Sequence, residues 1–240
     1  MITTKNIIAI YKLAKPSEIY DGLSWYINAN KDCQEIADKF KIPLHTVCGS
    51  LSALSPNNKY GRNVQNTHDL IEAFMNGDDM DSVKVSTYHK MKQKAWSILE
   101  QMPSYDETLV ILNGQKIKSF FRNIMGDETE ITIDGHARNI YYNDKQGLTT
   151  PNSNVGKLEY AKIQKAYQRA SKKLGIKAYE LQAITWVTWR RIHNIKWKDF
   201  IMSEEEYLEF VSITKSWWFS LPNGLQKELK EFYERINKWE

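Results

Sequence analysis

Cysteine is scarce in this 240-residue chain: only Cys33 and Cys48 occur, and no C-x-x-C pair exists. A four-cysteine iron–sulfur or zinc cluster is therefore excluded as the centre of the fold, and two thiols suit a reducing interior. Proline (6) and glycine (11) are also sparse, so helix breakers are few for the length. No apolar run reaches the roughly 18 residues of a membrane span. The stretch Met1-Ile2-Thr3-Thr4-Lys5-Asn6-Ile7-Ile8 lacks the apolar core and cleavage site of a signal peptide. These absences lead us to expect a soluble, cytoplasmic protein with no membrane partner. Charge is nearly balanced, 33 Lys+Arg against 29 Asp+Glu, a net of +4. That permits a nucleic-acid partner without demanding one. The chain is long enough to bury a core unaided. No cofactor is called for, and no metal either, because no second ligand is spaced to join a lone histidine.

What is present is helical periodicity. Pro16-Ser17-Glu18 opens a helix whose Ile19, Leu23 and Ile27 fall four residues apart, and Ile36, Ala37 and Phe40 mark a separate short one. Pro43 reads as a first-turn proline ahead of Val47, Cys48, Leu51 and Leu54. A break at Ser55-Pro56-Asn57-Asn58 precedes a helix carrying Thr67, Leu70, Ile71 and Phe74. Tyr88, Met91, Ala95, Ile98 and Met102 make the inward stripe of the next, which stops at Pro103. Residues 104–111 and 115–125 read as two helices joined by a tight turn at Asn113-Gly114. Ile117, Phe120, Phe121 and Ile124 face inward and Gly126 caps the end. Residues 129–133 alternate as a short extended segment, and Asp134 then caps a helix running toward Tyr141. Helices follow at about 157–174, 178–194, 204–218 and 223–238. The fold class is all-α, as one helical domain over residues 1–240.

The chemistry concentrates in Leu112-Asn113-Gly114-Gln115-Lys116-Ile117-Lys118 and in Ile131-Thr132-Ile133-Asp134-Gly135-His136-Ala137-Arg138. A tight turn between two helices presents backbone N–H groups that can cradle a phosphate. Lys116 sits in the first turn of the second helix, where the dipole disfavours an ammonium, which makes it a candidate amine nucleophile. Asp134, at another helix start, is a fixed carboxylate suited to a sugar carbon developing positive charge.

These segments resemble the helix-hairpin-helix DNA glycosylases of the endonuclease III type. Their signature is a Gly-rich hairpin ending in a catalytic lysine, then about eighteen residues, then a V-D-x-H-x-x-R-like segment. Here Lys116 and Asp134 are 18 apart, and Ile133-Asp134-Gly135-His136 matches V-D-x-H. Leu54-Ser55-Pro56-Asn57-Asn58 is similar to the family's L-S-x-Q loop, whose amide fills the gap left by a flipped base. The resemblance implies two helical lobes with the helix-hairpin-helix at about 104–125 and double-stranded DNA as partner, while the tail at about 203–240 reads as added helices. It implies Lys116 as the Schiff-base-forming nucleophile and Asp134 as its activating carboxylate. Asn57, Asn58, Lys59, Asn113, Gly114, Gln115 and His136 become DNA-contacting or supporting groups. The chain departs from the family at Leu112, where a glycine is usual, at the spacing of Arg138, and in lacking the iron–sulfur cluster. The pattern also resembles bacteriophage-encoded proteins, which would place it in the host cytoplasm.

Two features lie outside that match. Lys162, Lys165, Arg169, Lys172 and Lys173 recur at helical spacing opposite Ile163, Ala166, Tyr167, Ala170 and Leu174, and Lys162, Lys165 and Arg169 are candidate phosphate contacts. Gln182, Trp186 and Trp189 are candidate linings of a base pocket. The expected function is a monomeric DNA glycosylase that flips a damaged or modified base, cleaves its N-glycosidic bond and nicks the strand through Lys116. The alternatives are a phage base-hypermodification enzyme on the same fold and a non-catalytic helix-hairpin-helix DNA-binding protein.

Overall fold

A computed structural model of the chain describes residues 3–145 and 155–193. Among the described residues there are ten α-helices and no strand, so the all-α expectation holds. They are α1 (Lys5–Tyr11), α2 (Pro16–Phe40), α3 (Leu44–Leu54), α4 (Tyr60–Asn76), α5 (His89–Gln101), α6 (Tyr105–Leu112), α7 (Gln115–Ile124), α8 (Gly135–Tyr142), α9 (Lys157–Leu174) and α10 (Ala178–Ile192). None is long and apolar enough to cross a membrane. The helices expected at 204–218 and 223–238 lie outside the described residues. The chain divides into two compact units, Met1–Trp25 with Ile133–Glu240 and Tyr26–Thr132, hereafter units 1 and 2.

Unit 2 is organised on α3, which packs against α4, α5, α6 and α7. Every residue from Thr46 to Leu54 is buried, several of them small, which lets neighbours approach closely. A Cβ on Gly49 would lie 2.7 Å from Thr108 Cγ2 of α6. Leu51, Leu54, Ile98 and Leu99 are fully buried, each contributing about 1.5–3 kcal/mol of burial. Cys33 and Cys48 are free and buried, and hydrogen bonding to Cys33 together with burial pushes the Cys48 thiol up.

The expected break between residues 27 and 36 does not exist, because α2 is one helix of 25 residues. Its buried seam runs Ile19, Gly22, Tyr26, Ala29, Cys33 and Ile36 in alternating steps of three and four, so Ile27 is 55% exposed rather than inward. The polar residues of this stretch make tertiary bonds. Asn30 Nδ2 donates to Ile124 O at 2.9 Å and Asp32 accepts from the Tyr60 hydroxyl at 2.6 Å. In α5 the expected stripe is trimmed at both ends. Tyr88 and Met102 flank the helix as its caps and are exposed, Met102 in the left-handed region at φ 41°.

Helix α6 begins with a capping box. Ser104 Oγ accepts from Glu107 N, and Glu107 Oε2 accepts from Ser104 N at 2.9 Å. Ser104→Ala is expected to cost about 1 kcal/mol, read as a lower thermal midpoint. The Ser104 hydroxyl and N–H hold the Glu107 carboxyl below its ordinary range. The box is therefore intact at neutral pH and is lost as pH falls through that depressed value.

In unit 1, α10 packs against α1, α8 and α9. The first half of α2 also meets α10, with almost no space between them. A Cβ on Gly22 would lie 2.4 Å from Ile184 Cγ1 and 2.6 Å from its Cα and N. Glu18 of α2, only 6% exposed, accepts from the Arg191 guanidinium, from Thr188 Oγ1 and from Lys15 N. These bonds tie the start of α2 to the end of α10. A buried charge held this way is strongly coupled to its partner.

Candidate functional site

Asp134 is the N-cap of α8, as its sequence position suggested: its Oδ1 accepts from Ala137 N at 2.8 Å. Its second oxygen is held from α10, where the Trp186 indole N–H donates to Oδ2 at 3.2 Å. The indole is fixed in turn by three neighbours within unit 1. Trp25 lies nearly parallel to it at 5.7 Å between ring centroids, His136 meets it edge-on at 6.1 Å, and the Arg190 guanidinium sits 4.5 Å over its ring. Burial lowers Arg190 to about 10, and the attraction of Asp134 opposes that shift. Arg190 is thus a partly dehydrated cation beside a fixed anion. The same negative charge reaches the buried Tyr167 hydroxyl, whose ionisation is pushed up chiefly by burial and further by Asp134. Thr185 Oγ1 shares a 3.1 Å hydrogen bond with that hydroxyl.

The three candidates on α10 differ in access. Trp186 keeps partial exposure, whereas Gln182 (4%) and Trp189 (1%) are buried among core residues. Asp134, His136 and Trp186 converge, and sequence reasoning missed their partners Trp25 and Arg190. Arg190 had a readable signal, since it lies one helical turn beyond Trp186 on the same face. Trp25 had none.

Unit 2 holds the other candidates. The turn between α6 and α7 is built as expected, with Asn113 at φ 48° and Gly114 extended ahead of Gln115. Lys116 lies in the first turn of α7 and is half-buried. The terminal carbonyl of α6 is satisfied from α5, by Lys94 Nζ donating to Leu112 O at 2.6 Å. Burial lowers the Lys94 ammonium, and so do the like charges of Lys90 and Lys118. The Leu54-to-Lys59 loop is braced from beneath. Asn58 Nδ2 donates to Leu54 O and Asn66 Oδ1 at 3.3 Å, Asn63 Nδ2 donates to Leu51 O at 2.9 Å, and Thr87 Oγ1 donates to Pro56 O at 2.6 Å. Asn58 is therefore a brace, while Asn57 and Lys59 are exposed. Asn57 has φ 58°, a left-handed position that asparagine tolerates.

Lys162, Lys165 and Arg169 line one outer face of α9, with Lys165 and Arg169 exposed. Lys162 Nζ stands over the Tyr141 and Tyr142 rings at 5.4 and 5.6 Å. Among the described residues, no three His, Cys, Asp or Glu side chains converge as metal ligands.

Residues 2–193 match a family described as a family of unknown function, DUF7178. The chain belongs to the DUF7178 family. The match to DUF7178 ends at His193, the residue that caps α10. No curated protein and no solved structure matches the chain. In this DUF7178 member the carboxylate of Asp134, oriented by a helix N-terminus and an indole N–H, is preorganised to face a developing positive charge.

Proposed function

We propose that this protein binds double-stranded DNA and acts on one extruded nucleotide as an N-glycosylase. The observation that carries this reading is the Asp134 constellation. A carboxylate capping α8 is locked by the Trp186 indole, next to an aromatic cluster and a partly buried arginine. Cleavage of an N-glycosidic bond builds positive charge on the sugar, and a fixed carboxylate stabilises that charge. An extruded base stacks on aromatic groups, and an exposed amide such as Asn57 can fill the vacated stack.

In this reading Lys116 is the amine nucleophile. Its neutral amine attacks C1′, the bond from C1′ to the base breaks, and the base leaves with the proton shed by the amine. Opening of the C1′–O4′ bond, with a proton to O4′, gives the imine; loss of a C2′ proton then lets the 3′ phosphate leave by β-elimination. The test is borohydride trapping on duplexes carrying damaged or modified bases, with base release scored in parallel. Wild type should trap and Lys116→Ala should not. Trapping by Lys116→Ala would remove the lysine from the mechanism, and absence of any free base would remove the glycosylase. A heavier nucleoside in the same digest would instead assign base modification.

One observation favours a non-catalytic reading. Both Asp134 oxygens already accept protein hydrogen bonds, as they would in a purely structural cap. That reading predicts DNA binding that Asp134→Asn leaves unchanged, with no product under any condition.

A further inference from the structure

The division into units exposes a charge asymmetry that the whole-chain value hides. The described residues of unit 1 carry 14 Lys and Arg against six Asp and Glu, a net of +8. Unit 2 carries 12 against 14, a net of −2. Most of the unit 1 excess lies on α9. Lys162, Lys165, Arg169, Lys172 and Lys173 fall on a continuous outer face, spanning about 16 Å at 1.5 Å per residue. The one carboxylate of α9, Glu159, is bound to Arg138 at 3.1 Å. Three other unit 1 carboxylates are also engaged: Glu18 by Arg191, Asp134 by Trp186 and Glu180 by Lys177 N. No ion pair engages any of the five α9 cations among the described residues.

An ordinary solvated helix face interleaves both signs, as in i,i+4 ion pairs. This one does not. Lys172 and Lys173 are additionally favoured by the negative end of the α9 dipole. Lys162 is held locally over the Tyr141 and Tyr142 rings, but Lys165 and Arg169, in the middle of the helix, have no such local reason. Unit 2 presents the opposite field in its open cleft. A cavity of about 460 Å³ there is lined by Asp69, Glu72 and Asp78 with Lys84 as its one cation.

We infer that the principal DNA-backbone surface of this protein is the outer face of α9, with Lys162, Lys165 and Arg169 at its centre, and not the α6–α7 turn. A polyanion is drawn to a single-signed stripe and repelled by the acidic cleft. The stripe reads no bases; it tracks consecutive phosphates and supplies sequence-independent affinity. The identity of the partner rests on the DNA reading above, but the surface does not depend on glycosylase chemistry.

The test is fluorescence anisotropy of the full chain on an unmodified duplex of about 20 base pairs over a salt series, with base release measured on a damaged duplex. Lys165→Gln/Arg169→Gln should shrink the slope of log K against log salt by about 2, because each neutralised phosphate contributes about 0.9. Its affinity should fall about tenfold, further than that of Lys116→Gln/Lys118→Gln in the α6–α7 turn. Both exposed α9 substitutions should leave the circular dichroism unchanged. An unaltered slope, or a larger loss in the turn variant, would overturn the assignment. Preference for phosphatidylserine vesicles or duplex RNA over duplex DNA would overturn the partner. If wild type binds DNA with the expected slope and releases no base, the glycosylase reading fails and the surface stands.

Discussion

Gly22→Ala is expected to lower stability by about 2 kcal/mol, an unusual cost for so small an addition. In an exposed helix the same change would help by about 1 kcal/mol, because alanine is the better helix former. At Gly22 the new Cβ would meet Ile184 Cα and N at 2.6 Å. Ile184 backbone cannot rotate aside, so α2 and α10 must separate, at about 3 kcal/mol of overpacking. Gly61 and Gly49 calibrate the result. Gly61 sits in α4 with nothing within 4 Å of its Cβ position, so Gly61→Ala should be neutral or stabilising. At Gly49 the obstacle is a side-chain methyl, Thr108 Cγ2 at 2.7 Å, so that variant should fall between the two. Thermal unfolding of the three variants gives the ranking. A Gly22→Ala protein as stable as Gly61→Ala would mean that α2 and α10 do not cross where described.

Asp134→Asn should separate chemistry from folding. Asparagine is as good an N-cap as aspartate, so α8 keeps its start. The amide has only one acceptor oxygen for the two donors, Ala137 N and Trp186 Nε1. One of those bonds is lost, at about 1 kcal/mol. The negative charge is lost entirely. If Asp134 stabilises a developing cation, base release should fall about 100-fold or more, while the thermal midpoint drops by only a few degrees and DNA affinity holds. Trp186→Phe retains the ring and removes the N–H, so it should produce a smaller loss in the same direction. Undiminished base release by Asp134→Asn would return this residue to the role of a helix cap.

The parts of the fold legible in the sequence are those where one helix carries its own signal. The Ser104-to-Gly126 helix pair, the Asp134 cap and the Lys157–Leu174 helix follow from apolar period, capping chemistry and turn residues. Helix α2 was obscured because Asn30 and Asp32 look like loop residues until their tertiary partners, Ile124 O and the Tyr60 hydroxyl, are known. The α1 helix gave no warning, being seven residues whose Ile7, Ile10 and Tyr11 are buried by elements much later in the chain. In the candidate site, Asp134 was legible as a cap, and its indole donor was named for a different reason. Trp25 was invisible, since nothing local distinguishes it from any core tryptophan. The charge asymmetry was hidden too, because composition does not mark a division at residues 25 and 133.

That division bears on the order in which the protein can assemble as it is made. Unit 2 is one uninterrupted stretch, Tyr26–Thr132, so all its packing partners leave the ribosome together. Unit 1 is closed by helices from opposite ends of the sequence, α1 and the start of α2 against α8, α9 and α10. At roughly 5–20 residues per second, the apolar face of α1 waits about 6–25 s for the first residue of α8. During synthesis unit 2 therefore condenses first, and Ile7, Ile10 and Tyr11 stay uncovered until the later helices arrive.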